Sequence, residues 1–482
     1  MNGYKKAGIL LSLAIVGAGC SDFLSGPGLT ENPNNATEGT AIQQLIAVQA
    51  NMFTRMEGQM ARSAGMFTQQ IIGSNNQQLT WGTQYGASES DIPGHQSAFY
   101  TGAGLLGLRN IQAAATAAND PLLGGIAKVW EGFAFGTATS VWGDLPYSEA
   151  LDPAILTPKL DPQQQIYAAV QTRLDEGIAL LRTASTTGNC NPGAGDLIYC
   201  ATAVTAALEV NRWIAAAYTL KARFYLHLVE RQGNAAYTLA LAAAQNGIAE
   251  APTTTAQAQN GQAPGDFRSF HGSIIDQDAN IWAEFLNSRQ DLVAGDALVS
   301  ILKARSDPRL AAYFNANGAG NFVGANQNNV AVPTGAAPSV INTLVRRALN
   351  FRQPYITWAE NQLIMAEAKF QLGDVPGATV NVNNVRVAVG MPVLAVVTFN
   401  DVMLEKYIAM FQNIEVWSDF KRTCIPLVTP FGSAPEVPGR LPYSVTERTA
   451  NPNVPLPSAY PAGTTGPSAL RNWDDPVACP HP

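Results

Sequence analysis

The residue types that usually carry out catalysis are sparse in this sequence. GAGLLG (residues 102–107) has the G-x-G-x-x-G spacing of nucleotide sites, but the preceding HQSAFYT does not look like a buried strand. The motifs of serine hydrolases (G-x-S-x-G) and of P-loops (G-x-x-x-x-G-K-[ST]) do not occur. The histidines are scattered, with no H-x-x-x-H arrangement: His95, His227, His271 and His481.

Carboxylates are the remaining catalytic candidates. Glycoside hydrolysis needs two of them a few ångströms apart, and Asp144, Glu149 or Glu284 could serve. Nothing in their spacing singles out a pair. We therefore expect that the protein is not an enzyme and has no catalytic residues.

The cysteines beyond the amino terminus are even in number, so they can pair if the chain is exported. We favour Cys190 with Cys200, because the intervening NPGAGDLIY contains Pro and two Gly that let the loop close. Cys424 and Cys479 would then tie the body to the carboxyl-terminal tail. Metal binding by these cysteines is the alternative, but no C-x-x-C spacing supports it.

The amino terminus has the layout of an export signal. Lys5 and Lys6 precede the apolar run AGILLSLAIV, which is about half the length needed to span a bilayer. Small residues then lead to Cys20, which resembles the lipobox of bacterial lipoproteins, although Gly17 stands where Leu is usual. We expect a signal peptide at 1–19 and a lipidated tether at 20–40; an ordinary secretory signal is the alternative.

Composition limits the possible partners. The chain of 482 residues is 46% hydrophobic and 13% charged, with a net charge of −7. Because it has no cluster of Lys and Arg, a nucleic-acid partner is not expected. The chain should form a globular body with many loops.

Apolar residues at helical spacing recur along the chain and predict helices. Two pairs of these helices are joined by short turns, RQGN and GDVPG, which favour antiparallel neighbours. A single further helix should carry Met403, Tyr407, Met410, Ile414 and Trp417. The other stripes are Ile126, Val129, Trp130, Phe133 and Val141; Ile166, Val170, Leu174, Ile178 and Leu181; Ile214, Tyr218, Tyr225 and Val229; Tyr237, Leu241, Ala244 and Ile248; Ile356, Ala359, Leu363, Ala366 and Phe370; and Ala378, Val382, Val385 and Val389.

Long segments without helical period separate these stripes. They are rich in Gly, Asn, Gln, Thr and Pro, as in 73–95, 251–267 and 315–338. We predict one body over 41–482, with a helical-repeat scaffold at 41–250 and 340–422. The part at 251–339 is rich in long loops, which in a compact protein are usually functional or disordered; together with the resemblance described below it is expected to bind ligand. A Pro-rich tail at 423–482 should wrap the body or a partner.

Several segments, taken in order, resemble the SusD/RagB family of outer-membrane nutrient-binding lipoproteins, nearest to its SusD-like branch. They are SDFL after Cys20, VWGDLPYSEAL, QIYAAVQTRLDEGIALL, NIWAEFLNSRQ, KARSDPRLAAYF, ITWAENQLIMAEAKFQLGD, KYIAMFQNIEVWSDFKRT and LPYSVTERTANPNV. The resemblance implies an all-α fold of about four tetratricopeptide-like helix pairs with a loop-rich part packed against them.

The resemblance also implies a function. Such proteins are lipid-anchored to the outer membrane, where they capture an oligosaccharide or other nutrient and deliver it to a SusC-like TonB-dependent barrel. A helical-repeat scaffold protein of the outer membrane, without a small-molecule ligand, is the alternative.

Candidate ligand contacts follow from the match between sugars and aromatic platforms flanked by amides. For Trp81, Tyr85 and Trp282 a place in the core is the alternative. Calcium is an open possibility, to which Asp474 and Asp475 could contribute. The proposed ligand-binding residues are Asn76, Gln78, Trp81, Tyr85, Asn280, Trp282, Phe285, Tyr313 and Phe322.

Overall fold

A computed structural model describes residues 39–482, except for 92–93, 191–194, 288, 327–336, 432–435, 456–470, 478 and 480–482. The predicted signal peptide, Cys20 and all but the last two residues of the predicted tether lie outside the described residues. Among the described helices, none combines the length and apolar character needed to cross a membrane.

The fold is all-α, as predicted, with short strands between the helices. Polar caps begin several helices: Thr40, Thr357 and Thr398 each form a capping box with the third residue of the helix that follows. The helices are α1 Ala41–Met56, α2 Gln59–Phe67, α3 Asn76–Gln78, α4 Leu105–Ala118, α5 Pro121–Trp142, α6 Gln163–Leu181, α7 Ala206–Leu226, α8 Val229–Gln232, α9 Asn234–Ala244, α10 Thr255–Gln259, α11 Ile281–Asn287, α12 Asp296–Ala304, α13 Arg309–Tyr313, α14 Trp358–Gln371, α15 Val375–Ala388, α16 Phe399–Ala409, α17 Glu415–Thr423 and α18 Val445–Ala450.

The long helices form one continuous stack. In order, α1, α4, α5, α6, α7, α9 and α14 each pack on the next, and α14 also packs on α15 and α16. Glycines let α5 lie close to two neighbours: a Cβ at Gly132 would be 2.8 Å from Leu174 of α6, and one at Gly136 would be 2.2 Å from the ring of Phe224 of α7. The buried residues form a hydrophobic core that extends from Leu45 to Val454.

Four details of the helices differ from the sequence prediction. The helix expected through Met403 and Trp417 is two helices, α16 and α17, because Gln412 has a φ of 62° and interrupts it. In α7 the predicted stripe of Ile214, Tyr218 and Tyr225 is half-buried; the fully buried face includes Trp213, Leu220 and Phe224. Tyr237 and Leu241 of α9 are likewise half-buried, and Ile356 lies in a strand.

The strands pair in twos, and one pair joins distant parts of the chain. Strand β1 is antiparallel to β5, with Ile71 opposite Ala294 and Gly73 opposite Leu292. The remaining pairs are β2–β3, β4–β8 and β6–β7. The strands are β1 Ile71–Gly73, β2 Asn189–Cys190, β3 Val204–Thr205, β4 Phe267–Arg268, β5 Leu292–Ala294, β6 Phe314–Asn315, β7 Val340–Ile341 and β8 Pro354–Ile356.

The described parts of the carboxyl-terminal segment lie along the helical body. Leu441 N donates to Val141 O at 2.9 Å, and Asp474 N donates to Gln163 Oε1 at 3.0 Å. Disulfides join Cys190 to Cys200 and Cys424 to Cys479, with Cα atoms 5.6 and 5.4 Å apart; this is the pairing that the sequence analysis favoured.

Candidate ligand-binding site

The β1–β5 ladder brings together two segments that the sequence analysis selected separately. Beyond the ladder, Ser74 N donates to Asp291 O at 2.8 Å, and Asn76 Nδ2 donates to Asp291 Oδ1 at 3.1 Å. The exposed polar loop around Asn76 therefore lies beside the end of α11, which carries Phe285. More than 200 residues of sequence separate the two segments.

Phe285 is the aromatic residue at the centre of this region. Its ring is half-buried, and the guanidinium of Arg62 lies 4.0 Å from its centroid. The guanidinium of Arg289 lies 5.4 Å from the same centroid and is hydrogen-bonded to Gln77 Oε1 at 3.4 Å. The guanidinium of Arg62 covers one face of the ring, so a sugar ring would have to stack on the opposite face, with the neighbouring guanidinium and amide groups bonding its hydroxyls.

Trp81 belongs to the same loop, in a single turn of π-helix at Leu79–Thr83. The turn lies against α2 at Gly82, where a Cβ would be 2.1 Å from the sulfur of Met66. Trp81 is half-buried and Asn76 is exposed, so both are accessible from solvent.

Two predicted contacts near this loop are part of the core. Gln78 is buried and exchanges side-chain hydrogen bonds with Gln59. Tyr85 is buried, with its ring 5.7 Å from the rings of both Phe67 and Phe431. An external ligand would not reach either side chain in this structure.

Three more predicted contacts are fully buried. Asn280 Oδ1 accepts from Trp282 N at 2.9 Å, and its Nδ2 donates to Glu57 Oε2 at 3.0 Å, so this residue fixes the start of α11. Trp282 lies in the core. Tyr313 stacks on Phe411 with centroids 4.6 Å apart. These side chains support the site rather than line it.

Phe322 is half-buried in a loop that runs beside β5, where Ala325 N donates to Ala294 O at 2.8 Å. Of the nine residues proposed from the sequence, Asn76, Trp81, Phe285 and Phe322 therefore have side chains that are at least partly exposed.

The cationic residues around Phe285 are not among those predicted from the sequence. Arg62 lies on α2, all nine residues of which are buried. Burial, together with the charge of Arg289, lowers the pKa of Arg62 to about 9. His95 lies near the same charges: burial, then the charges of Arg55 and Arg62, lower its pKa to about 4, so it is neutral at pH 7. A lone arginine in an apolar helix was the available signal.

The carboxylates considered for catalysis have structural roles. Asp144 Oδ1 accepts from Gln163 N at the start of α6, and Glu149 Oε2 accepts from Lys159 N. Glu284 Oε1 accepts from Asp276 N at 2.7 Å. Each is therefore occupied in holding a turn or a helix end.

The residues considered for metal binding are also engaged. Cys190, Cys200 and Glu209 lie close enough to hold a metal ion, but the two sulfurs form a disulfide. Asp474 accepts from Tyr167 Oη at 2.8 Å, and Asp475 pairs with Arg471 at 2.7 Å.

Comparison with known structures first identifies the class of fold. A SusD/RagB family protein from Bacteroides thetaiotaomicron is similar over 91% of this chain and 99% of its own, with a TM-score of 0.68 and 21% identity. A chitin-binding SusD homolog from Flavobacterium johnsoniae covers 90% of this chain and 98% of its own, with a TM-score of 0.68 and 16% identity. At these identities the likeness concerns the fold.

The family follows from the sequence itself. Residues 33–391 match the model of the SusD-like family described as "Starch-binding associating with outer membrane". The chain therefore belongs to the SusD-like family, a family of binding proteins associated with the outer membrane, and it is a binding protein rather than an enzyme. No curated protein sequence matches it significantly.

Proposed function

We propose that this protein is a lipid-anchored, cell-surface receptor that captures an oligosaccharide and delivers it to a SusC-like TonB-dependent barrel. The observation that carries the proposal is the half-buried ring of Phe285, flanked by Arg62 and Arg289, with the amide of Gln77 hydrogen-bonded to Arg289. This arrangement combines an apolar face with hydrogen-bonding groups, as a sugar requires. The starch-binding description of the family and the chitin-binding relative support a glycan ligand.

Anchoring is proposed through Cys20. Two or more acyl chains on that cysteine would hold the protein stably at the membrane. We place the body on the outer side of the outer membrane, above the barrel, because a captured glycan has to be passed to an importer.

The ligand-binding part of the proposal is tested by replacing Phe285 and Trp81 with Ala. Each truncation should weaken binding of the cognate oligosaccharide about tenfold, since a buried stacking contact is worth roughly 1–2 kcal/mol. Binding is measured by titration calorimetry. Tyr218→Ala is the matched control. Tyr218 lies on α7, its ring is half-buried, and like Phe285 it has an arginine, Arg182, beside the ring. Unchanged affinity in both site variants would refute this placement of the ligand.

The partner is tested by extracting the outer membrane in mild detergent and purifying the tagged protein. Co-purification of a stoichiometric TonB-dependent barrel is expected, together with a lipidated Cys20. Recovery of unlipidated protein alone in the soluble fraction would contradict both the anchor and the delivery role. Co-purification with the barrel but no glycan binding would favour the scaffold alternative.

A further inference from the structure

The charges around Phe285 are unbalanced. The two guanidinium groups of Arg62 and Arg289 flank one phenyl ring, at 4.0 and 5.4 Å from its centroid. The side chain of Arg55 lies near His95 and contributes further positive charge to the region. We call Arg55, Arg62 and Arg289 the arginine cluster.

The arginine cluster has little compensating negative charge. Within the described residues, no carboxylate oxygen lies within 4.0 Å of the guanidinium of Arg62 or Arg55. Arg62 instead bonds Gln59 Oε1 at 3.4 Å, and Arg55 bonds Thr54 Oγ1. Arg289 forms an ion pair with Asp291, whose Oδ2 lies 3.8 Å from its Nη1, so the guanidinium without a carboxylate partner on the Phe285 ring is that of Arg62. Beyond residue 38, the stretches that the structure does not describe contain no Asp or Glu.

Neighbouring acids on the 276–284 segment are also engaged. Asp278 Oδ1 accepts from Ile274 N at 3.0 Å, and Glu284 Oε1 accepts from Asp276 N. Neither forms an ion pair with a residue of the cluster. The cluster is thus a local exception in a chain whose net charge is −7.

An uncompensated guanidinium in a site removed from water, as for Arg62, is costly, and the nearby positive charge of Arg289 adds repulsion. Arg62 is 9% exposed, so water compensates its charge poorly. A bound anion would remove both penalties at once, because arginine forms strong charge-assisted hydrogen bonds with carboxylates and sulfate-like groups.

We infer that this site is selective for a negatively charged glycan, whose carboxylate or sulfate binds the exposed guanidinium of Arg289 and is attracted by the charge of Arg62 beside it. The inference rests on the proposed function and adds the class of ligand. Uronic-acid and sulfated saccharides share the required chemistry, an anionic group projecting from the edge of a sugar ring.

The decisive comparison uses an acidic oligosaccharide and its neutral methyl ester. Hexagalacturonate and its fully methyl-esterified form have the same sugar backbone, and carrageenan oligosaccharides carry sulfate in place of carboxylate. Maltohexaose and chitohexaose are the neutral probes. We expect an acidic oligosaccharide to bind at least tenfold more tightly than any neutral one, and raising the salt concentration to weaken that binding.

Variants assign the selectivity to the cluster. Arg62→Gln and Arg289→Gln should each weaken acidic-glycan binding about tenfold or more, and should weaken it more than they weaken neutral-glycan binding. Arg289 has a side chain that is 47% exposed, so its replacement tests the inference even if Arg62→Gln folds poorly. Arg182→Gln is the matched control, an arginine 5.9 Å from the ring of Tyr218.

The outcomes separate the two proposals. Neutral glycans that bind as tightly as acidic ones, through Phe285, would overturn the charge selectivity and leave the proposed function standing. Acidic binding that is insensitive to both Arg62→Gln and Arg289→Gln would also overturn it. If no glycan of either class bound, the inference would fall together with the proposed function.

Discussion

At the scale of single residues, buried polar groups beside the candidate site hold α1 and α11 together. Glu57, at the end of α1, accepts from Asn280 Nδ2 at 3.0 Å and pairs with His271 Nε2 at 2.8 Å. Tyr355 Oη donates to the same carboxylate. Because Asn280 fixes the start of α11, this buried carboxylate links α1 to the helix that presents Phe285.

Replacing Glu57 with Ala should therefore destabilise the protein by about 3–5 kcal/mol, because it leaves several buried donors without an acceptor. Urea unfolding measures the loss. Glu149→Ala is the control, since that carboxylate is half-buried and bonds a surface turn. Equal losses in both variants would argue against a special structural role for Glu57.

A second buried carboxylate makes stability depend on pH. Burial, then the charge of Asp196, raise the pKa of Glu209 from 4.5 to about 8. The folded protein therefore keeps a proton on Glu209 that the unfolded chain releases above about pH 4.5. For this reason the free energy of unfolding falls as the pH rises from about 4.5 to about 8.

We expect the melting temperature of the native protein to fall more between pH 6 and pH 9 than that of Glu209→Gln, which cannot ionise at this position. Differential scanning calorimetry at both pH values measures the difference, with Glu149→Gln as the control. Identical slopes for the native protein and Glu209→Gln would contradict a retained proton on this carboxyl.

At the scale of elements, close approach of helices depends on glycines in α5. Gly136→Ala would place a Cβ 2.2 Å from the ring of Phe224, a rigid side chain with little room to move. We expect this change to cost about 1–3 kcal/mol through overpacking. Thermal unfolding measures it.

Gly124→Ala in the same helix is the matched control. There a Cβ would lie 3.3 Å from Leu180 and 3.5 Å from Ala115, which a small adjustment accommodates. Because Ala favours helix over Gly by about 1 kcal/mol, this variant should be neutral or stabilising. If Gly124→Ala were as destabilising as Gly136→Ala, the close approach of Phe224 would not be the cause of the loss in Gly136→Ala.

The helices were largely predictable from sequence, and the site was predictable in part. The helical spacing of apolar residues and the turn residues predicted the hairpin of α14 and α15. Ala378, Val382 and Val385 are buried there, as expected. The break at Gln412 was missed because the apolar spacing continues through it. Among candidate contacts, Phe285 and Trp282 lie in one helix, and sequence alone did not tell which of the two faces outward.

Arg62 and Arg289 were missed for a different reason. The first stands alone in an apolar helix and the second in a loop, and they meet because β1 pairs with β5. Pairing between strands more than 200 residues apart depends on tertiary structure, so no local pattern announces it.

At the scale of the whole molecule, the disulfide between Cys424 and Cys479 closes a 55-residue separation and ties the tail to the end of α17. Loss of a cross-link of this span should destabilise the protein by about 4 kcal/mol in the chain-entropy model. The Cys424→Ser/Cys479→Ser double variant should unfold at a lower temperature and lose its carboxyl-terminal tail first to protease. The matched Cys190→Ser/Cys200→Ser variant should keep the tail protected.

The β1–β5 ladder has a consequence for how receptors of this kind diversify. Three residue pairs join the two segments to each other, and Asn76, Phe285 and Arg289 lie outside the paired residues. If the proposed site is correct, substitutions or insertions after Gly73 and before Leu292 can change the recognised molecule without altering the ladder. On that proposal, a change of ligand requires only a few surface residues to change, because the pairing that brings the two segments together is kept.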